Sequence, residues 1–473
     1  MSLGAAPSDE PAATIAGKRS LLVDTRRQGF EWCEFFRTDP EKVPLTPGAT
    51  YTVRFKYRIL DLGADDCYLY ALVRSRSGGQ KSVKGWTPIH AAQGAEGEKS
   101  FEVAIDEKTD YEVLIGFHNQ GRLAIDEITI AKQRPAHIEP PAGARYDPQQ
   151  IGFNTQATVW SPQSQVDRLY DKVRETGCGW VRATLFWDVL EPIQGQIDWS
   201  SGDRLFEAIR TRGLKYCCVI RSAPKWANGG HDCPLHNFAS TDADAFESFC
   251  YQVARRYLNR GVTIAFEIGN EQNMQFFNMP KVDPAGYTRC QLIPASKGIR
   301  RAAREFDVAA PTILVGGFSP VEPKYIPHSM TPLDFMQAVY EHGGKGSFDT
   351  IAYHPYTYVA PPRPEHWTYQ ELRRVVELME SHGDRGKKVW ATEVGYASGT
   401  GTGQVSEEQA ARFTAETFDQ WFALPYAGPL LWYELVDGRS YVSTDREQTF
   451  GLLHSGDWSE KPGYRFFLSK LRK

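Results

Sequence analysis

Two glutamates in this chain stand where paired carboxyl chemistry becomes possible. Glu271 follows Asn270 in the stretch Ile268-Gly269-Asn270-Glu271-Gln272-Asn273, and Glu393 lies in Ala391-Thr392-Glu393-Val394-Gly395-Tyr396. Each closes an apolar run of strand length. Two carboxyls facing one ligand suit cleavage of a glycosidic bond: one protonates the leaving oxygen and the other attacks or activates water. A glutamate chosen at random is a solvated surface acid; the matched placement and the neighbouring Asn270 set this pair apart. His354 and Tyr356 close another run, adjacent to that of Glu393. One of them is expected to hydrogen-bond the Glu393 carboxyl or a sugar hydroxyl, the competing reading of His354 being a structural strand-end histidine. Trp187 and Trp226 are aromatic candidates for stacking on the C–H face of a pyranose ring, with core packing as the alternative.

These residues need a scaffold that brings distant strand ends together. From residue 149 onward, apolar runs alternate with helical patterns. The runs cover 151–155, 180–185, 214–220, 263–268, 312–317, 350–354, 388–393 and 430–435. Between them, Val166, Leu169, Tyr170 and Val173 carry the i, i+3, i+4, i+7 spacing of one buried helix face, with Gly177 as the stop; Phe246, Phe249, Cys250, Val253 and Tyr257 repeat the pattern. Near-continuous apolar strands alternating with helices predict a parallel sheet covered on both faces. Eight such units predict a (β/α)8 TIM barrel over 149–473, whose chemistry sits at the carboxyl ends of its strands. Glu271 and Glu393 then close strands four and seven, across the barrel mouth from each other. A doubly wound open sheet lacks support, since no glycine-rich phosphate motif follows the first strand.

Residues 17–133 differ in texture. Short alternating segments separated by Gly, Asp or Pro predict an all-β, jelly-roll-like sandwich, and no amphipathic helix is visible there. Residues 134–148 hold four prolines and read as a linker. Residues 1–16 read as a disordered tail, or as the start left after removal of a leader, which would place the protein outside the cytoplasm in a secreted or periplasmic setting. Composition narrows the partners. Lys plus Arg total 54 and Asp plus Glu 58, a formal charge of −4 with no basic tract, which argues against a nucleic-acid partner. No stretch nears the roughly 18 apolar residues of a membrane span. The eight cysteines are dispersed without a CxxC pair, against a disulfide scaffold or zinc ribbon, although Cys33 and Cys67 could bridge. His231, Cys233 and His236 form an H-x-C-x-x-H cluster that lacks a further ligand set, so no metal and no cofactor is expected.

The residues around the two glutamates resemble clan A glycoside hydrolases, and within that clan most nearly glycoside hydrolase family 39. The resemblance covers nearly all of 150–473. It rests on Asn270-Glu271, on Glu393, on the segment 180–199 (WVRATLFWDVLEPIQGQIDW), on Ala223-Pro224-Lys225-Trp226-Ala227, and on 246–257. The chain departs from family 39 in placing its sandwich before the barrel. The resemblance implies a retaining double displacement that cleaves O-glycosidic bonds, of β configuration, in an oligo- or polysaccharide, with Glu271 as acid/base and Glu393 as nucleophile. It further implies that Arg182 sits beside Glu393, that Asn270 binds the sugar 2-hydroxyl, and that Trp432 is the platform under the sugar. Glu434 and Tyr396 could also reach substrate, whereas Glu191 and Asp198 read as structural. The sandwich resembles carbohydrate-binding modules in general form. There Trp32, Tyr70 and Trp86 either stack on a glycan or belong to the core. The alternative for the whole chain is a non-catalytic glycan-binding protein on a barrel scaffold. Loss of turnover across a broad glycan panel would favour it.

Overall fold

The computed structural model describes residues 5–26, 31–45, 50–63, 66–77, 83–105, 110–132, 139–140, 142–155, 157, 159–322, 324, 326–399, 401–438 and 445–472. The chain divides into two compact units. One comprises Met1–His137 with Arg439–Gln448 and His454–Ser459; the other comprises Ile138–Gly438 with Thr449–Leu453 and Glu460–Lys473.

The first unit is all β. Its strands are β1 (Ala5–Ser8), β2 (Ser20–Asp24), β3 (Trp32–Arg37), β4 (Thr50–Leu62), β5 (Tyr68–Ser75), β6 (Val83–Ile89), β7 (Glu96–Ala104), β8 (Tyr111–His118) and β9 (Gly121–Lys132). They pair antiparallel in two sheets, β1-β2-β9-β4-β7 and β3-β8-β5-β6. Alternation puts one face of each sheet into a shared core: Val23, Phe55, Ile59, Leu123 and Ile125 from the first meet Leu69, Ala71, Ile89, Ile115 and Phe117 from the second. The expected tail is corrected in part, because Ala5–Ser8 pairs with Ser20–Val23 along the sheet edge. Cys33 and Cys67 are both buried, and no disulfide joins them.

The second unit is a closed parallel barrel of eight strands: β10 (Ile151–Asn154), β11 (Trp180–Phe186), β12 (Lys215–Arg221), β13 (Ile264–Asn270), β14 (Thr312–Phe318), β15 (Thr350–Tyr353), β16 (Val389–Val394) and β17 (Ala427–Trp432). The helix Gln163–Thr176 buries Val166, Leu169, Tyr170 and Val173 and stops at Gly177, whose φ of 80° needs glycine. The helix Ala243–Tyr257 buries Phe246, Phe249, Cys250, Val253 and Tyr257, with Asp242 accepting the Ala245 N–H at its start. The barrel claims part of the expected linker: Tyr146 bridges Leu471, and its hydroxyl donates to Asp419 at 2.8 Å. Residues 134–138 and 141 of that segment lie outside the described residues. The segments Arg439–Gln448 and His454–Ser459, expected within the barrel, group with the first unit instead. Among the described residues, no helix is long and apolar enough to cross a membrane.

One layer of the barrel interior explains the site above it. Trp180, Cys217, Ala265, Leu314, Ala352, Trp390 and Leu431 come from seven successive strands and close the barrel with an apolar floor. Side chains alternate along a strand, so the next inward position lies two residues on. From Trp180 that is Arg182, from Ala265 it is Glu267, from Ala352 it is His354, from Trp390 it is Thr392, and from Leu431 it is Tyr433. A polar layer therefore sits directly on an apolar one.

Candidate active site

Arg182 organises the polar layer. It is 3% exposed and grips Glu267 with two parallel hydrogen bonds, Nε to Oε2 at 2.7 Å and Nη2 to Oε1 at 2.8 Å. Its Nη1 donates to Glu393 Oε1 at 2.6 Å, and its Nη2 also donates to Asn270 Oδ1 at 2.6 Å. The planar fork of a guanidinium makes such two-sided recognition possible, which a lysine cannot reproduce. Burial disfavours the charge on Arg182, but Glu267 and Glu393 outweigh it and hold the guanidinium cationic. Glu267 is fully buried and further fixed by the Gly317 N–H at 2.9 Å and the Thr392 hydroxyl at 3.3 Å.

Glu271 follows the end of β13 with φ of 45°, left-handed backbone that is costly for a glutamate. Gly269, at φ of 87°, provides a second turn of the chain just before it. The Glu271 N–H donates to Gly317 O at 2.7 Å and anchors this geometry. Glu393 lies where the pairing of β16 with β17 shifts register between Ala391 and Val394. Such an irregularity re-aims side chains, and both Thr392 and Glu393 reach the site.

His354 joins the two glutamates. It is fully buried; Nδ1 lies 2.8 Å from Glu271 Oε1 and 3.7 Å from Glu393 Oε2, while Nε2 lies 3.2 Å from Thr392 Oγ1. The Tyr356 hydroxyl donates to Glu393 Oε2 at 3.2 Å. Burial opposes charge on His354, but the charge of Glu393 and the hydrogen bond and charge of Glu271 raise its pKa above the ordinary 6.5. Burial would raise Glu393, but the charges of His354 and Arg182 and the hydrogen bonds from Arg182 and Tyr356 hold it below the ordinary 4.5. Ligand-capable atoms of Glu271, His354 and Glu393 all lie within 4.8 Å of one another, a spacing a cation could use. Arg182 already supplies the counter-charge to Glu393, and a second cation there would be repelled.

The aromatic expectations need correction. Trp432, expected as the sugar platform, turns away from the mouth. It is 1% exposed and packs on Phe418 and Phe467 of the outer helical layer, because its strand neighbours Leu431 and Tyr433 take the inward positions. Tyr433 is the aromatic that β17 hands to the mouth, clustered with Phe450 and with the Tyr356 that touches Glu393. Trp187 is a core residue, fully buried against Phe246 and Phe249, with Nε1 donating to Glu191 at 2.7 Å. Trp226 packs edge-on against Trp187 and donates to Glu191 O at 3.0 Å. It also lines a hollow of about 580 Å³ with Lys225, Thr241 and Asp244, which includes neither Glu271 nor Glu393. Tyr396 is buried with its hydroxyl between Thr357 and Thr417, and Glu434 is buried behind Tyr433. Glu191 and Asp198 serve local backbone and indole hydrogen bonds.

His231, Cys233 and His236 have separate partners. The ring of His231 stacks on Phe238, Cys233 accepts from the Asn237 and Phe238 N–H groups, and His236 pairs with Asp188 at 2.7 Å. Glu267, Thr392 and Tyr433 are the site residues that sequence reasoning missed; for Glu267 a signal was available. A lone acid inside the apolar run Ile264–Asn270 was that signal, since a buried carboxylate must find a partner.

A family model for cellulase, glycosyl hydrolase family 5, matches residues 141–424. No curated protein matches the chain in sequence. Among solved structures, the chain is similar to GH5_18 from Streptomyces cattleya in complex with GlcNAc, 20% identical over 69% of this chain and 80% of that one, with a TM-score of 0.50. It is also similar to a glucosidase from Croceicoccus marinus, 13% identical over 70% and 68%, with a TM-score of 0.51. A family 39 glycoside hydrolase from Bacteroides cellulosilyticus WH2 is 21% identical over 87% and 79%, at a TM-score of 0.49 that supports no family assignment. These structural likenesses bear on the fold. The clan expected from the sequence is supported, whereas family 39 in particular is not. A closed eight-stranded barrel with paired glutamates at its mouth, matched over most of its length by one family model, makes the chain a member of the cellulase family of clan A glycoside hydrolases, glycosyl hydrolase family 5.

Proposed function

We propose that this glycoside hydrolase cleaves β-linked oligo- or polysaccharides with retention, Glu393 acting as nucleophile and Glu271 as acid/base. The observation that carries this reading is the closeness of the two carboxyls, whose facing atoms lie within 4.8 Å. Retaining enzymes hold the pair about 5–5.5 Å apart, and inverting ones about 6.5–9.5 Å apart to admit a water. A carboxyl oxygen of Glu393 attacks the anomeric carbon as the glycosidic C–O bond breaks, and Glu271 gives its proton to the departing oxygen. Water then loses a proton to Glu271 while its oxygen displaces Glu393.

Hydrogen-bond directions support this division of labour. Glu267, an ionised acceptor held by Arg182, takes the Thr392 hydroxyl proton. The Thr392 oxygen is then left to accept from His354 Nε2–H. A neutral His354 so oriented presents a lone pair at Nδ1, and the 2.8 Å contact to Glu271 needs one proton between them. That proton is the one an acid catalyst must deliver. Glu393 is kept ionised by Arg182 and Tyr356, as a nucleophile requires. Asn270, whose carbonyl faces Arg182, has its NH2 group free to face a sugar 2-hydroxyl. Identifying the first-formed anomer by NMR tests the reading. Retention is expected, together with near-complete loss of turnover in Glu393→Gln; inversion would remove Glu393 from the nucleophile role.

A further inference from the structure

The outer face of the β3-β8-β5-β6 sheet carries an aromatic surface that the barrel chemistry does not use. Register puts Trp32, His118 and Tyr68 in one cross-strand row, and Glu34, Gly116, Tyr70 and Pro88 in the next. The intervening residues Cys33, Leu69 and Phe117 point the other way, into or beside the sandwich core. Trp32 and Trp86 are 48% and 44% exposed, unusual for rings of this size, and their centroids lie 5.9 Å apart. Both rest on Tyr70: Trp86 stacks on it at 5.1 Å and Trp32 meets it edge-on at 5.4 Å. Tyr70 lies flat only because its neighbour is glycine, since a Cβ on Gly116 would come within 2.3 Å of the phenol ring. The exposed tryptophans are therefore seated on a built floor.

The flanking charges say what the surface takes. Glu34 accepts from Arg74 at 3.0 Å and from Arg37 at 2.5 Å, Glu112 accepts from Arg74 and Arg76, and His118 faces Glu31 at 3.3 Å. These charges are matched within the face, leaving hydrogen-bonding edges beside the rings without a surplus of either sign. A polyanion needs surplus positive charge. The core of a protein interface is depleted of acidic residues, which the glutamates held beside the rings do not suit. An uncharged chain with flat C–H faces and hydroxyl edges fits both features.

We propose that Trp32 and Trp86, floored by Tyr70, form a non-catalytic binding site for a neutral polysaccharide chain. The assignment rests on the family membership of the barrel, which makes a glycan the chain's substrate, and is independent of the retaining mechanism. The test is native electrophoresis of the full chain through gels containing mixed-linkage β-glucan, arabinoxylan or galactomannan. Retardation is expected in at least one gel. Trp32→Ala/Trp86→Ala should weaken it by about tenfold or more, the worth of two ring contacts. Hydrolysis of a soluble aryl glycoside by that variant should stay unchanged, and Glu393→Gln should be retarded like the wild type. Trp86→Ala alone gives the same reading, at smaller amplitude, should the double variant lose its fold. Absence of wild-type retardation in all three gels, or equal retardation of the tryptophan variants, would overturn the proposal. Failure of the barrel reading would show separately, as absent turnover of glycosides.

Discussion

Thr392→Val tests the proton assignment with a nearly isosteric change. The valine keeps the buried volume beside His354 and removes one hydroxyl, which donates to Glu267 at 3.3 Å and faces His354 Nε2 at 3.2 Å. Without that acceptor, the imidazole is no longer held with its proton on Nε2. It can carry the proton on Nδ1 instead and donate to an ionised Glu271. If His354 is cationic, loss of an acceptor makes it a stronger acid. Either way the His354–Glu271 pair releases its proton more readily. A net hydrogen bond is worth about 0.5–1.5 kcal/mol and about 1.36 kcal/mol corresponds to one pKa unit, so the basic limb of kcat/KM against pH should fall by about 0.4–1.1 units. The acidic limb reports Glu393, lies below pH 4.5 because His354 and Arg182 overcome burial, and should move less. The assay is kcat/KM for an aryl glycoside across pH, with a melting curve at each pH to exclude unfolding. A basic limb within about 0.2 units of wild type, far less than one hydrogen bond is worth, would refute the chain of donors from His354 to Glu267. A shift of the acidic limb alone would refute it too.

Three further outcomes follow from the same geometry. Glu267→Gln should destabilise the protein by about 3–5 kcal/mol, because it breaks a buried pair around Arg182, and should abolish turnover with it; an unchanged melting temperature would mean that Arg182 does not depend on Glu267. Tyr433→Ala should raise KM by about three- to tenfold with a small loss of stability, whereas Trp432→Leu should cost about 1–3 kcal/mol of stability and leave KM unchanged, and the reverse pattern would restore Trp432 as the platform. Burial pushes the Glu407 carboxyl up to about 7, so the folded state holds its proton where the unfolded chain has lost it, and stability falls as pH rises from about 4.5 through about 7. Glu407→Gln should therefore melt higher than wild type at pH 8, by up to about 2 kcal/mol, and equally at pH 4; equal melting at pH 8 would remove the effect.

Much of the barrel was legible because its signal is coarse. Eight apolar runs separated by helical stripes survive errors of two or three residues at each end, and Glu271 and Glu393 needed only to lie near strand ends. The finer geometry depends on parity, which a one-residue error inverts. The last strand was expected over 430–435 and runs over Ala427–Trp432. Its residues are buried on both faces, so hydrophobicity does not distinguish Trp432 from Tyr433. Trp187 misled for the opposite reason: it follows a strand end, as a binding residue would, but its short helix turns the indole into the core. In the sandwich, Gly85 and Pro88 interrupt the alternation of β6, the strand that carries Trp86.

The bridging role of Arg182 also bears on how the enzyme comes into being. Its partners on β13 lie 85 and 88 residues along the chain, but Glu393 on β16 lies 211 residues along it. A chain that has emerged only through β14 can form the Arg182–Glu267 pair and part of the sheet, but it lacks Glu393, the nucleophile of the proposed mechanism. A fragment holding β16 alone has the carboxylate without the cation that keeps it ionised in a buried place. The Arg182–Glu393 pair on which the proposed mechanism depends is thus complete only when the seventh strand docks beside the others.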